Sequence, residues 1–211
     1  MPAFSPSYDN KIARRYSAHT LEQKVANKTA LQRELGWPAE PKRALACLPC
    51  GMSRELGGEL LKEILPGLLS LPMEILILGK GSEDFGSLFT DLTKKNGHKI
   101  AIIRDEEEAM RKMYAASDMA IFFADPSRQP ELRRALSYGV IPVAPEAKSL
   151  EQYDPIQESG FAFLYASQGD PSQVLWHSFA AIVRALETHR FPFDWRTIQR
   201  HAMEQVSSEK V

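Results

Sequence analysis

The chain is short of cysteine. Its 211 residues contain two, in Cys47-Leu48-Pro49-Cys50. Two thiols are too few for a four-cysteine zinc site. None of the five histidines (His19, His98, His177, His189, His201) stands at metal-ligand spacing from them. Thioredoxin-like redox proteins also carry Cys-x-x-Cys, but there the first thiol opens a helix that stabilises its thiolate. Here Cys47 lies inside an apolar stretch, Arg43 to Leu48, and the next helix begins near Gly57 or Gly58. The pair therefore reads as one buried strand cysteine and one loop cysteine, with a redox protein as the third-ranked reading.

An excess of charge is also missing. Lys plus Arg number 26 and Asp plus Glu number 27, a net charge of −1, so nothing points to nucleic acid or an anionic membrane surface. No apolar run approaches the ~20 residues of a membrane span. The stretch Met1–Asn10 is polar and lacks the apolar centre of a signal peptide. A cytoplasmic location is the expectation, with no membrane and no nucleic-acid partner. Internal repeats and low-complexity segments are absent, and no cofactor or metal is implied.

What is present is alternation. Six apolar runs of strand length, Arg43–Leu48, Met73–Leu78, Lys99–Ile103, Met119–Ala124, Val140–Ala144 and Gly160–Tyr165, are separated by helical segments. The helices are expected at Gly58–Leu71, Glu83–Lys95, Glu106–Ser117, Pro130–Tyr138, Pro171–His189 and Trp195–Val206. A further helix, Ser17–Gly36, precedes them, with Thr20 as its cap. Pro66 is expected to kink or split its helix. Residues 1–15 read as an extended arm with little to bury, and residues 16–211 as one domain. Strand–helix alternation with short connections predicts an α/β fold: a Rossmann-like parallel sheet of about six strands with helices on both faces.

Met119–Pro145 organises the rest. It reads as strand, polar loop, short helix and strand. Pro130 and Glu131 suit a first helical turn and Gly139 suits its stop. Ligands in open α/β sheets sit at the carboxyl ends of strands, so this loop should belong to any site.

Several segments in order resemble the C-terminal half of bacterial glycogen and plant starch synthases. They are Tyr16–Gly36 (Y-S-A-H-T-L-E-Q-K-V-A-N-K-T-A-L-Q-R-E-L-G), I-L-I-L-G-K-G-S-E-D-F, M-Y-A-A-S-D-M-A-I-F-F-A-D-P-S-R, A-L-S-Y-G-V-I-P-V and S-G-F-A-F. The resemblance runs from about Tyr16 to the C-terminus. It implies a single half of a GT-B glycosyltransferase fold, the half that binds ADP-glucose or UDP-glucose. ADP-glucose, ADP and glucan are the implied ligands. A protein partner, or an N-terminal Rossmann domain missing from this chain, is the implied macromolecular partner.

Three departures from that family bear on function. The family's R-L-x-x-Q-K-G loop, whose Arg and Lys hold the donor phosphates, here reads C-G-M-S-R-E-L-G, with Gly51 and Leu56 at those two positions. The family's P-S-R-F-E-P-C-G-L-T segment is shortened to P-S-R-Q-P-E-L, so Glu131 comes later than the family's Glu. The family's T-G-G-L loop is replaced by Ala147-Lys148-Ser149-Leu150. Transfer from a nucleotide diphosphate needs cations and N–H dipoles aimed at the leaving group. The expectation is therefore a domain without transferase activity of its own, a binding or regulatory module. The alternative is the C-terminal half of an active ADP-glucose-dependent glucosyltransferase.

No catalytic residue is assigned. The candidate nucleotide-sugar contacts are Arg54, Gly79, Gly81, Ser127, Arg128 and Glu131. For each a plain structural role competes: a tight turn for the glycines, a cap for Ser127, a helix-acid partner for Arg128, and a helix-dipole partner for Glu131. Tyr114 reads as core or groove wall, and His177 and His189 as packing or surface residues.

Overall fold

Short apolar runs without polar alternation suit strands covered on both faces. In the computed structural model, which describes residues 4–208, six of them form one sheet. The strands are β1 (Ala44–Leu48), β2 (Met73–Leu78), β3 (Ile100–Ile103), β4 (Met119–Ile121), β5 (Ile141–Pro145) and β6 (Phe163–Tyr165). All pairings are parallel and the spatial order is β3-β2-β1-β4-β5-β6. Ala46 of β1 stands opposite Ile75 on one side and Met119 on the other. The sheet is thus built outward from β1 in one direction, then from β4 in the other, and a crevice is expected where the two halves diverge.

The helices are α1 (Lys24–Glu34), α2 (Gly58–Ser70), α3 (Glu83–Lys95), α4 (Glu107–Ala116), α5 (Pro130–Ser137), α6 (Pro171–His189) and α7 (Pro192–Ser208). Right-handed crossovers send α2 and α3 to one face and α4 and α5 to the other. Contacts complete the layers: α6 packs on α2, α1 on α4, and α7 on α5. Leu61, Ile64 and Leu68 of α2 are fully buried, each burial contributing about 1.5–3 kcal/mol.

Several local expectations are corrected. The helix expected over Ser17–Gly36 is shorter: a 3-10 turn, Leu21–Gln23, leads into α1. Thr20 does not cap it, because its hydroxyl accepts from the Ser17 N–H at 2.9 Å instead. Helix α2 runs unbroken through Pro66. That residue is solvent-exposed, so water can satisfy the carbonyl it leaves unpaired. Strand β4 stops at Ile121 rather than Ala124. Phe122 still donates to the Val143 carbonyl at 2.9 Å, while Phe123 turns away to pack beneath Gly57.

The arm buries more than its composition suggests. Asp9, Ile12 and Tyr16 are buried. Asp9 accepts from the Tyr138 hydroxyl and pairs with Arg111 at 3.2 Å. The Tyr16 hydroxyl donates to the Tyr138 carbonyl at 2.8 Å. Phe4 lies against the guanidinium groups of Arg111 and Arg134, at 4.3 and 4.7 Å, with its ring edge-on to Tyr114 and Tyr138. The arm is held by α4 and α5, whose residues lie far along the chain, so no local pattern announces it.

Candidate functional site

The loops after β1, β2 and β4 meet at the carboxyl end of the sheet. Gly79 and Ser127 follow β2 and β4, which flank β1, so both loops lie at the same end, as the alternation predicts. The first two loops are closed against each other. Met52 donates to the Lys80 carbonyl at 3.1 Å, and Ser82 donates to the Met52 carbonyl at 3.0 Å. Gly51 has φ +65° and Gly81 has φ +123°. A side chain on Gly51 would collide with the Lys80 carbonyl, and one on Gly81 with the Met52 carbonyl. The room these glycines create is filled by neighbouring backbone. Gly79 donates to the Ile103 carbonyl at 2.7 Å and is likewise engaged with the next strand.

The remaining candidates divide into exposed and buried. Arg54 is exposed and lies 3.6 Å from Glu59. Arg128 is exposed as well. Ser127 donates to Asp125 Oδ1 at 2.5 Å and lies 2.8 Å from the Ser149 hydroxyl. It thereby ties the loop after β4 to the loop after β5. Gln129 precedes α5, so Ser127 is not that helix's cap. Glu131 differs from all of these: it is 3% exposed. Its Oε1 lies 3.6 Å from Lys80 Nζ and 3.8 Å from the Arg134 guanidinium. Lys80 comes from the β2 loop and Arg134 from α5, so Glu131 links both sides of the divergence between β1 and β4.

Cys50 and Tyr114 feel the same carboxylate. The Cys50 thiol is pushed up to about 12, by burial first and by the Glu131 charge second. Burial alone accounts for most of the rise of Cys47 to about 12. Thiols so disposed are poor thiolates at neutral pH, which opposes the redox reading. The Tyr114 hydroxyl is buried without a hydrogen-bond partner. Burial raises its pKa well above the usual phenol range, and the Glu131 carboxylate adds to the effect.

A second cluster sits at the opposite end of the sheet, beside a cavity of about 600 Å³ that Lys24, Lys28, Asp118, His189 and Trp195 line with others. Asp118 precedes β4. It is 2.5 Å from Lys28 Nζ and 3.3 Å from His189 Nε2, and it accepts the Leu45 N–H at 2.8 Å. Burial works against its charge, but Lys28 and His189 outweigh that and hold its pKa well below the carboxylate range. Lys24 donates to the Tyr114 and Ala115 carbonyls, both at 2.9 Å, and burial lowers its pKa to about 7. Sequence reading placed His189 as packing, which its edge-on contact with Trp195 supports. It missed Lys80 and Arg134 as charge partners. A lysine between two turn glycines was the available signal for the first; for the second it was the i,i+3 spacing from Glu131 on the expected helix.

The open parallel sheet, its strand order and the loops gathered at one end match solved glycosyltransferases. The catalytic domain of starch synthase IV from Arabidopsis thaliana, solved with ADP and acarbose, superposes with a TM-score of 0.79 at 19% identity. That match covers 98% of this chain and 45% of the other. The C-terminal domain of a group 1 glycosyl transferase from Francisella tularensis matches at a TM-score of 0.58 and 11% identity, over 86% of this chain and 92% of that one. Glycogen synthase of Clostridium perfringens is 31% identical over 97% of this chain, and that of Caldicellulosiruptor bescii 30% over 97%. The chain is a homologue of the C-terminal half of glycogen synthases. It spans 43% of the length of these two relatives. No family model matches it. The fold is the Rossmann-like half of a GT-B glycosyltransferase. Among the described residues no helix is long and apolar enough to cross a membrane.

Proposed function

We propose that this glycogen-synthase homologue has kept the frame of a nucleotide-sugar-binding half without its phosphate-holding chemistry, and that alone it transfers no glucosyl group. It would act as a binding or regulatory module in the cytoplasm. One observation carries this reading: Gly51 and Leu56 stand where the family resemblance expects the phosphate-binding Arg and Lys. Departure of a nucleoside diphosphate builds negative charge on the leaving group, and losing one pre-aimed donor typically costs ~10²–10³ in rate. Here two are replaced together, and the loop glycines give their space to neighbouring backbone rather than to a ligand.

Isothermal titration of ADP-glucose, ADP and maltooligosaccharides into the chain, paired with a glucosyl-transfer assay, tests this. The expected outcome is no turnover and no saturable binding of ADP-glucose. Tight ADP-glucose binding, with turnover once a glycogen-synthase N-terminal half is added, would sink the reading. That result would establish the second one, a C-terminal half that works with a complementary half. The match with glycogen synthases along 97% of this chain is the observation in its favour.

A further inference from the structure

A carboxylate that is 3% exposed has given up its water, so something else must compensate its charge. For Glu131 the compensation comes from Lys80, Arg134 and the first turn of α5, where the helix dipole favours an anion. The two ion-pair distances, 3.6 and 3.8 Å, are longer than hydrogen bonds. The carboxylate therefore bridges the cations without saturating either. Lys80 is half-exposed, so an oxyanion arriving from solvent can reach it. Tyr114, on the neighbouring α4, keeps a buried hydroxyl with no partner. Its titration responds to both Glu131 and Arg134, which puts that hydroxyl in the same electrostatic environment. The arrangement has the parts of a phosphate site: two cations from different elements, a helix N-terminus, and a position at the carboxyl ends where the sheet diverges.

We propose that Glu131 is the resident anion of a latent oxyanion site built from Lys80, Arg134 and the start of α5, and that its carboxylate excludes the diphosphate of a nucleotide from this crevice. The inference rests on the proposed reading that the chain does not hold a nucleotide sugar. It goes further by naming the group responsible and by predicting that the site can be reopened. A diphosphate approaching Lys80 in the wild type meets the repulsive Glu131 charge that already bridges the two cations. With that charge replaced by a neutral amide, Lys80 and Arg134 lose their carboxylate partner and an oxyanion becomes the favoured counter-charge.

The test is titration of pyrophosphate and ADP into the wild type and Glu131→Gln, with unfolding midpoints recorded for both. Wild type is expected to show no saturable binding at millimolar ligand. E131Q is expected to bind both ligands in competition, at least tenfold more tightly, and to lose that binding when Lys80→Met is added. If E131Q does not fold, Glu131→Ala is titrated with pyrophosphate in the presence of formate. Formate should compete by restoring the missing carboxylate. A folded variant that gains no affinity overturns the proposal and leaves the reading of an inactive domain standing. Wild type that binds ADP-glucose and turns it over with an added N-terminal half overturns both. Gained affinity that survives Lys80→Met also overturns the proposal, because the anion would then sit elsewhere.

Discussion

At the amino ends of the strands, Asp118 holds Lys28 at 2.5 Å, His189 at 3.3 Å and the Leu45 N–H at 2.8 Å. At the carboxyl ends, Glu131 is as deeply buried, yet its two cations stand at 3.6 and 3.8 Å. The first carboxylate is gripped by α1, β1 and the end of α6, and its partners are consumed. The second is shared loosely between a loop and its own helix. The difference is between charge gripped at close contact by three elements and charge that bridges two cations at longer range, which on the proposal above a ligand would replace. The Lys28 and Asp118 segments also belong to stretches that resemble glycogen synthases, whereas the segment that carries Glu131 is one of the three that depart.

The sharpest way to break this comparison is at the amino end. Lys28→Met leaves Asp118 buried with one main cation gone, and such a break costs about 3–5 kcal/mol. Urea unfolding at pH 7 measures it; a loss below about 1 kcal/mol would mean the two ends are not different in kind. The pH dependence follows from the depressed Asp118 pKa. Its contribution is present above the unfolded value of about 3.9 and is lost as pH falls through the lower folded value, so acid should narrow the gap between variant and wild type.

A smaller effect tests the closed loops at the other end. Gly51→Ala places a Cβ at φ +65° and against the Lys80 carbonyl, and should cost about 1–3 kcal/mol. A shift of the urea midpoint with an unchanged slope would show it. An unchanged midpoint would mean that the loops after β1 and β2 part easily, and that the room at Gly81 is open to a ligand. The smallest effect is expected at Arg54→Ala. That side chain is exposed and its ion pair lies on the surface, so stability should stay within about 0.5 kcal/mol of wild type. A larger loss in thermal or urea unfolding would show that Arg54 is bound into the loop structure.

Much of the frame was legible. The expected bounds of β2, α3 and α6 coincide with the observed ones, because apolar runs of strand length and acid-led or proline-led helix starts are local signals. Gly139 ends α5 with φ +62°, as its position suggested. Misreadings fell where a distant partner decides. Thr20 is the local exception, taken by Ser17 three residues away rather than by helix N–H groups. The end of β4 yields to packing between Phe123 and Gly57. The arm is retained by Tyr138 and Arg111.

The candidate site divides along the same line. A parallel sheet, the placement of Gly79 and Ser127 at one end, and the departures from the resembling family's loops can be read from residues in order. Periodicity and right-handed crossovers leave few other topologies, and a loop's residue types are visible wherever it lies. What the residues in order do not contain is which charges meet. Glu131 looked like a helix-dipole partner, and it does occupy a first helical turn. Arg134 stands one turn along the same helix, but only folding brings Lys80 to Glu131 from another strand end and leaves the buried Tyr114 hydroxyl without a partner. Secondary structure follows from local steric and hydrophobic preferences, whereas the worth of a buried charge depends on what three dimensions put within a few ångströms of it.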